Sequence, residues 1–437
     1  MSPELIGILG VVALILLVLL RVQVGIALLV IGFFGYAWLT NFKVAFAQLG
    51  SVTFNTAGNY NLSVMPMFIL MGMFLSYSGL AKDMFNAVDR WIGHWKGGLG
   101  MATIGASAIF SAISGSITAT TATIARVALP EMNRLNYHPR LSTACVAAGG
   151  TLGILIPPSV ILILYGVLTM ENIGELLIAG FIPGILMAAM FMLTIYIQVS
   201  RNPNLAPVHQ ETATWKERLA SLKNVWAFLV IFLLSIGGIY FGFFTPTEAG
   251  GVGALGAFII ALVTRSLGWK QFVESLIETV RLTAMIFFIL IGAMLFGSFL
   301  AISKLPMALT SLVADVDISR YVILFVILIV YFILGMFMEG ISILVLTIPI
   351  VYPLIVDLGF DGVWFGIIMV LVLNMGLLTP PMGLSVFVIS GVVKEIPIQT
   401  IFRGVVPMLV TIIIFTIILI IIPEIVTFLP EMMRQNV

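Results

Sequence analysis

The chain has 437 residues, of which 61% are hydrophobic and 9% are charged, and its mean hydropathy is +1.20. Soluble globular domains carry roughly 45–50% apolar and about 25% charged residues, so this composition predicts an integral membrane protein. Twenty Lys and Arg residues stand against nineteen Asp and Glu residues, and the resulting net charge of +1 excludes a basic surface for nucleic acid.

The residue types that enzymes and metal centres depend on are scarce. Cys145 is the single cysteine, and the three histidines, His94, His138 and His209, do not have the spacing of zinc ligands. The sequence contains no Walker-type GxxxxGK[ST] motif and no nucleophile with a base at a suitable spacing. We therefore predict a protein that is neither an enzyme nor an ATPase, so that any work it does draws on a gradient.

Apolar runs of membrane-spanning length recur along the chain. A bilayer core about 30 Å thick requires roughly 20 apolar residues per helix. The first run follows an acidic residue and lacks a small-residue cleavage site, so we expect it to be retained as a span. By this criterion we predict an all-α membrane protein with about ten spans, at residues 5–20, 24–40, 63–80, 140–165, 175–199, 225–243, 248–265, 282–303, 363–389 and 404–428.

Two further apolar regions, 101–130 and 321–355, are interrupted by small or polar residues. The interruptions are SGSITATTAT (114–123) and the surroundings of MEG (338–340), and Glu339 is the only charged residue in either. A loop crossing into water would carry more charge, so we predict two re-entrant hairpins. Non-helical backbone at membrane depth survives only inside protein or beside a watery cavity, so both tips are candidate site elements.

Lys and Arg residues are unequally divided between the two predicted faces of the membrane. One face carries only Lys43, Lys304, Arg320 and Arg434, so the positive-inside rule makes the opposite face cytoplasmic and leaves both termini outside. The residues assigned to the cytoplasmic face are Arg21, Lys82, Arg90, Lys96, Arg134, Arg140, Arg201, Lys216, Arg218, Lys223, Arg265, Lys270, Arg281, Lys394 and Arg403.

The second half of the sequence repeats the first at an offset of 223 residues. Five spans precede the polar connector, so the second half starts on the opposite side of the membrane, as in the inverted repeats of secondary transporters. We predict a first repeat over 1–200, a cytoplasmic connector over 201–224 and a second repeat over 225–437. The aligned positions are Pro130 with Pro353, Gly153 with Gly376, Pro157-Pro158 with Pro380-Pro381 and, after a one-residue slip, Pro183 with Pro407.

Each proline pair interrupts a long apolar run. Proline removes an N–H group and obstructs the carbonyl four residues earlier, so carbonyls around 153–158 and 376–381 are freed. Sodium is a suitable partner, because it takes oxygen ligands from unwound backbone. The alternative is a pair of kinks satisfied by Ser, Thr or water, but two symmetric kinks that each face a hairpin favour cation sites. Residues that could add oxygen ligands are Ser111, Ser114, Gly335, Gly340 and Thr379.

Six hydroxyl side chains fall between Ser114 and Thr123 and could bind the polar groups of a substrate. A helix that begins here would aim its positive N-terminal end inward, which suits a carboxylate. Alternatively, the hydroxyls bond preceding carbonyls or allow close helix packing. Arg126 could contact an anion or snorkel, and Glu339 could sense a cation, accept a proton or face water, so both residues stay open.

Three features outside these regions are predicted to be structural. Glu248 is placed to start a helix, where its charge would be stabilised at the N-terminal end. The segments 42–62 and 267–280 mix aromatic and charged residues, which indicates interfacial arms that anchor the protein in the bilayer.

Four strings, SGSITATTATIARVALPEM (114–132), GGTLGILIPPSV (149–160), FFTPTEAGGVGA (243–254) and NMGLLTPPMGLSVFV (374–388), resemble the large membrane subunit of tripartite ATP-independent periplasmic (TRAP) transporters. The resemblance covers essentially the whole chain. It implies an elevator-type secondary transporter of the bacterial inner membrane, in which the hairpins and broken spans slide against a scaffold made of the remaining helices. It also implies a sodium gradient as the driving force, a periplasmic binding protein that delivers substrate, and a separate small membrane subunit of about four spans.

The resemblance also implies roles for individual residues. Substrate would lie near Ser116, Thr118 and Thr121, with Arg126 as a further candidate. Members of the family carry C4-dicarboxylates, sialic acid and other carboxylates, and this sequence as a whole is most similar to the sialic-acid members. A self-sufficient sodium- or proton-coupled dicarboxylate symporter remains the alternative, and a channel is a weaker one. The sodium ligands carried over by position are Ser111, Ser114, Gly153, Ile156 and Pro158 in the first half, and Gly335, Gly340, Gly376, Thr379 and Pro381 in the second.

Overall fold

The computed structural model describes residues 1–20, 22–77, 80–207, 212–223, 225–314 and 318–436. Arg21 and His209, which the sequence analysis names, lie outside these residues. Within the described ranges all regular structure is helical, as the composition predicts.

In the described part of the first half there are eleven helices, and the described part of the connector contains a twelfth. Short 3-10 turns at Tyr60–Ser63, Leu152–Ile154 and Pro203–Leu205 accompany them. The bounds are α1 Pro3–Leu19, α2 Val24–Leu39, α3 Phe42–Ala57, α4 Val64–Tyr77, α5 Leu80–Ile92, α6 Gly98–Ser114, α7 Ile117–Arg134, α8 Pro139–Thr151, α9 Val160–Thr169, α10 Ile173–Ala179, α11 Phe181–Arg201 and α12 Trp215–Leu222.

The second half contains the remaining ten helices. Their bounds are α13 Trp226–Tyr240, α14 Pro246–Val263, α15 Trp269–Ser303, α16 Leu305–Ala314, α17 Arg320–Gly335, α18 Gly340–Asp357, α19 Gly362–Leu378, α20 Leu384–Val392, α21 Ile398–Ile421 and α22 Glu424–Asn436.

Both predicted hairpins are present. In the first, α6 and α7 run antiparallel, and the Leu99 N–H at the base of α6 donates to the Tyr137 hydroxyl just after α7, at 3.3 Å. In the second, the Arg320 guanidinium at the start of α17 lies 5.1 Å from the ring of Phe360, which follows α18. In each hairpin the two limbs are therefore in contact at the end away from the tip, and the helical backbone is interrupted only at the tip.

The tips are narrower than the sequence suggests. In the first hairpin only Gly115 and Ser116 are non-helical, because Gly115 takes a left-handed φ of 56° and Ser116 caps the next helix. Thr118, Thr120 and Thr121 therefore lie on α7 rather than in a loop, contrary to the predicted break at 114–123. The second tip comprises the residues between Gly335 and Gly340.

Two of the predicted spans are broken helices. The span expected at 140–165 divides into α8 and α9 around the Pro157-Pro158 pair, and the span expected at 363–389 divides into α19 and α20 around Pro380-Pro381. Proline cannot donate to the helical ladder, so each helix stops before its pair and a new helix starts a few residues later.

By length and composition, five helical segments among the described residues can each cross a membrane alone. A sixth results if α3 and the following segment Tyr60–Ser76, which meet at 51°, count as one span. Seven further apolar helices of 10–17 residues include hairpin limbs and halves of the broken spans. The count is lower than the ten expected spans because the helices at 5–20, 24–40 and 225–243 are shorter than 18 residues and because the spans at 140–165 and 363–389 are broken. The five are Ile173–Arg201, Pro246–Val263, Trp269–Ser303, Gly340–Asp357 and Ile398–Ile421.

The helices pack as two groups. One group has α15 packed along α2 and α4, with α14 against α4 and α13. The other combines the two hairpins with the broken spans, and it also includes α11 against α6 and α21 against α8. The family resemblance places all helices outside the hairpins and broken spans in the scaffold, so the packing of α11 and α21 differs from that expectation.

Glu248 starts α14, as the sequence predicts. Its carboxylate accepts from the Thr245 N–H at 2.9 Å, and the Thr245 hydroxyl accepts from the Glu248 N–H at 3.3 Å. This reciprocal pair is a capping box, which satisfies two backbone donors that a helix start would otherwise leave open.

The contact between Gly335 and Gly376 provides a test of the fold. A methyl group at Gly376 would lie 2.5 Å from backbone atoms of Gly335, closer than real contacts allow. We expect Gly376→Ala to lower the free energy of unfolding by roughly 1–3 kcal/mol through overpacking, measured by denaturant unfolding in detergent. Gly391→Ala, where nothing lies within 4 Å, is the control and should not destabilise. Equal midpoints for the two variants would contradict the close approach.

Candidate functional site

A cavity of 480 Å³ lies where the two hairpin tips, the two helix breaks and the first helical group meet. The hairpins contribute residues 114–119 and 339–341, the breaks contribute Ile154, Val160, Ile161, Leu377 and Leu384, and the first group contributes Ile69, Gly72, Met73 and Ser76 of α4 and Glu278, Leu282, Met285 and Ile286 of α15. Small-molecule binding sites have this form, with mostly apolar walls and a few convergent polar groups.

Four helices begin at the wall of this cavity. They are α7 and α18 from the hairpins and α9 and α20 from the broken spans, each represented in the lining by one of its first two residues. Ser116 and Ser159 cap α7 and α9, with hydroxyl oxygens that accept from the N–H groups of Ala119 and Leu162. A helix N-terminus carries a partial positive charge, so the cavity favours an anion without a basic side chain.

The first hairpin tip sits directly on the first helix break. A Cβ at Gly115 would lie 2.7 Å from the Pro158 carbonyl oxygen, and one at Gly153 would lie 2.9 Å from the Ser116 carbonyl oxygen. The fold thus brings Gly153 and Pro158 of the predicted first sodium site to the hairpin that carries Ser111 and Ser114. Ile156 is buried in the same break.

The hydroxyl groups near this tip differ in their partners. The Ser114 Oγ lies 2.6 Å from the Thr120 Oγ1 and 3.3 Å from the Ser116 carbonyl oxygen. The Ser111 Oγ is fully buried, and it has no hydrogen-bond partner among the described residues. A buried hydroxyl without a partner costs free energy, so it points to a ligand outside the chain.

In the second half, Gly335 packs against Gly376, so hairpin two also meets its helix break. Thr379 and Pro381 follow in that break, and Gly340 lies beside Ile161 of the first broken span. Thus each half places a hairpin against a proline-containing break. Asn374 and Ser385 were not predicted as site residues from the sequence. The buried Asn374 Oδ1 and Ser385 Oγ have no hydrogen-bond partner among the described residues. Asn374 is a polar residue inside an apolar run, and that was the available signal.

Some of the freed carbonyls find partners within the chain. The Ser159 hydroxyl donates to the Ile154 carbonyl at 2.7 Å, and the Thr379 hydroxyl donates to the Met375 carbonyl at 2.7 Å. The kink interpretation therefore accounts for these two carbonyls. A carbonyl oxygen has two lone pairs, so the second of each remains for another donor or a cation.

The predicted substrate residues separate into two sets. Ser116 and Thr118 line the cavity, and their hydroxyl oxygens are 3.1 Å apart. Thr121 is buried behind the wall against Gly150, and its Oγ1 has no partner among the described residues. Arg126 lies on the exposed side of α7, whose contribution to the lining ends at Ala119.

The cavity wall carries two carboxylates. Glu339 forms the tip of hairpin two, as the sequence indicates, and also lines a second cavity of 330 Å³ beside α2. Glu278 comes from α15, and its carboxylate pairs with the Arg281 guanidinium at 3.2 Å. The sequence analysis treats 267–280 as a separate interfacial arm without a site role. In the structure most of this segment is the first part of α15, one continuous helix of 35 residues, and Glu278 lies in the cavity wall.

Similarity in sequence to known proteins extends over most of the chain. Residues 11–425 match the family described as tripartite ATP-independent periplasmic transporter, DctM component. The C4-dicarboxylate TRAP transporter large permease protein DctM of Pseudomonas aeruginosa is 36% identical over 88% of this chain and 89% of its own length. The sialic acid TRAP transporter large permease protein SiaM of Vibrio cholerae is 35% identical over 86% of this chain and 87% of its own length.

A solved structure shares the fold. The Alcanivorax borkumensis YdaH transporter, described as having an unusual topology, superimposes with a TM-score of 0.62 at 13% identity, covering 94% of this chain and 97% of that one. At this identity the likeness concerns the fold alone. The family match and the relatives go further: the chain belongs to the large permease proteins of the TRAP transporters.

Proposed function

We propose that this chain is the transport subunit of a sodium-driven importer of an organic acid, of the sialic-acid or C4-dicarboxylate class. The observation that carries the proposal is the arrangement of helix ends: α7, α9, α18 and α20 begin at one cavity, and α6 and α19 end at its wall. Helix N-termini attract anions and helix C-termini attract cations, so one place in the membrane suits both an organic anion and its coupling ion.

Sodium would be held at the two contacts between a hairpin and a break. Hydroxyl and backbone oxygens are the available ligands, and among the described residues no group of three His, Cys, Asp or Glu side chains is placed to hold a metal ion. Ser111, with a buried hydroxyl that lacks a described partner, supports the first site. Gly335, Gly376 and Thr379 belong to the second. Bound sodium would offset the charge of an anionic substrate nearby.

The substrate would occupy the cavity between the hairpin tips. Ser116 and Thr118 supply hydroxyl groups at the N-terminus of α7, where a carboxylate is favoured. Two groups of helices meet at this cavity, so sliding of the hairpin group along α4 and α15 would carry the substrate across the membrane, as in an elevator.

The wider assembly follows from family membership. We propose that a periplasmic binding protein delivers the substrate and that a small membrane subunit of about four spans completes the transporter in the bacterial inner membrane. Both termini would face the periplasm, because the positive-inside rule places the basic face in the cytoplasm. The second candidate function is a self-sufficient sodium- or proton-coupled symporter, since Glu339 in the cavity wall could accept a proton.

Sodium binding should be visible as a gain in stability. A ligand that binds only the folded protein stabilises it by about 2.7 kcal/mol at one hundred times its Kd. We expect sodium, compared with potassium at equal ionic strength, to raise the unfolding temperature of the purified protein. Ser111→Ala, Ser114→Ala and Thr379→Ala should each weaken this rise.

Ser107→Ala is the matched control for Ser111→Ala. Ser107 is also buried in α6, one helical turn earlier, but its hydroxyl already donates to the Thr103 carbonyl at 2.7 Å. It should lower stability equally in both salts and keep the sodium-specific rise. An intact protein that unfolds at the same temperature in sodium and in potassium would remove the basis for sodium sites.

Thr118 tests the position of the substrate. Removing one hydrogen bond to a bound substrate costs about 0.5–1.5 kcal/mol, so Thr118→Ala should raise the KM for uptake roughly twofold to tenfold and leave the unfolding temperature unchanged. Thr123→Ala, on the same helix beyond the cavity lining, is the control. If the two variants transport alike, the substrate does not contact the start of α7.

Reconstituted uptake separates the two candidate functions. In proteoliposomes with an inward sodium gradient, we expect labelled substrate to accumulate when the chain is combined with its small subunit and its binding protein. The chain alone should give none, because it lacks the parts that deliver substrate. Uptake by the chain alone would favour the self-sufficient symporter.

A further inference from the structure

The connector helix α12 presents an apolar stripe that the described residues leave largely exposed. Trp215, Leu219 and Leu222 are spaced i, i+4, i+7, so they share one face of the helix. Their exposed fractions are 69%, 61% and 36%. An apolar stripe on a short helix is normally covered, so this one indicates a surface that meets something apolar.

Basic side chains flank the stripe on both sides. With 100° of turn per residue, Lys216 and Lys223 fall together on one flank and Arg218 falls on the other. The opposite face carries Glu217 and Ser221, which are polar. This order, apolar in the middle and cationic at both edges, is typical of helices that lie in the membrane–water interface.

The helix is already formed and docked. Thr214 and Glu217 make a capping box at its start, and the Thr214 N–H holds the pKa of the Glu217 carboxyl below its ordinary value. The Trp91 indole N–H of α5 donates to the Arg218 carbonyl at 3.3 Å, and the Trp91 and Trp215 rings meet edge-on at 6.3 Å. The stripe is therefore presented in a fixed orientation, without the entropic cost of ordering a free segment.

The position of α12 in the chain limits what can cover the stripe. It ends at Leu222, four residues before α13 begins at Trp226, whose side chain is 58% exposed. Because α13 is an apolar helix of the membrane region, α12 cannot lie far from the level at which α13 enters the bilayer. Trp226 and Trp91 lie nearby, and tryptophan is enriched at that level.

We propose that α12 is an anionic-lipid docking surface: its apolar stripe sinks into one leaflet while Lys216 and Lys223 contact the phosphates of acidic phospholipids, and the Arg218 guanidinium stays packed 5.3 Å from the Trp215 ring. Each basic residue near an anionic membrane surface strengthens binding by about fivefold. The docking fixes the connector between the two repeats to the bilayer. It depends on neither the sodium sites nor the substrate.

Spin labels on the full-length protein in vesicles test this surface. Cys145 is buried and is the only cysteine, so Leu219→Cys and Ala220→Cys each give a single reactive site. Ala220 is exposed and lies away from the stripe on the same helix, so it serves as the matched control. Collision rates with oxygen, which concentrates in lipid, and with a water-soluble nickel chelate report the depth of each label.

We expect the Leu219 label to collide more with oxygen and the Ala220 label to collide more with nickel chelate. Replacing part of the phosphatidylcholine by phosphatidylglycerol should deepen the Leu219 label. Adding Lys216→Gln and Lys223→Gln should abolish that lipid dependence. Equal water exposure of the two labels would overturn the proposal. A Leu219 label shielded from both reagents would also overturn it, because that result indicates a protein partner. A Leu219 label insensitive to phosphatidylglycerol would do the same, because that result indicates a contact without charge.

Discussion

The backbone of a membrane protein cannot stop being helical at membrane depth without giving its free N–H and C=O groups new partners. Among the described residues, the two hairpins and the two broken spans are interrupted at Gly115-Ser116, at the Pro157-Pro158 pair, at the tip before Gly340 and at Pro380-Pro381. The interruptions persist because each hairpin tip lies against a break and because the four together enclose a cavity with a few polar groups in a mostly apolar wall. The rest of the structure serves to hold these interruptions in register.

The inverted repeat explains how the chain achieves this convergence. Each half supplies one hairpin and one broken helix, so helix ends from both halves come together at the cavity. Close contacts depend on small residues: Gly115 rests on the Pro158 carbonyl and Gly335 on Gly376. The first group of helices, above all the continuous α15, closes the cavity from outside and adds Glu278 to its wall.

Local chemistry was readable from the sequence, and long-range packing was not. Prolines within apolar runs identify the broken helices, and the capping pattern identifies Glu248 as a helix start, because both effects act within one or two turns. The sequence did not indicate that Glu278 lines the cavity, because its segment carries the charges of an interfacial arm. Only the packing of α15 shows that Glu278 reaches the cavity. Ser385 was missed for the same reason: its burial depends on helices distant in sequence.

The proposed elevator motion requires that the cavity between the hairpin tips opens in turn to both sides of the membrane. The most direct measurement is the reaction of Thr118→Cys with a membrane-impermeant thiol reagent, applied separately to each face of vesicles, since Cys145 is buried and silent. The account predicts reaction from both faces, at rates that change when sodium replaces potassium. Reaction from one face only, at the same rate in both salts, would contradict alternating access at this cavity.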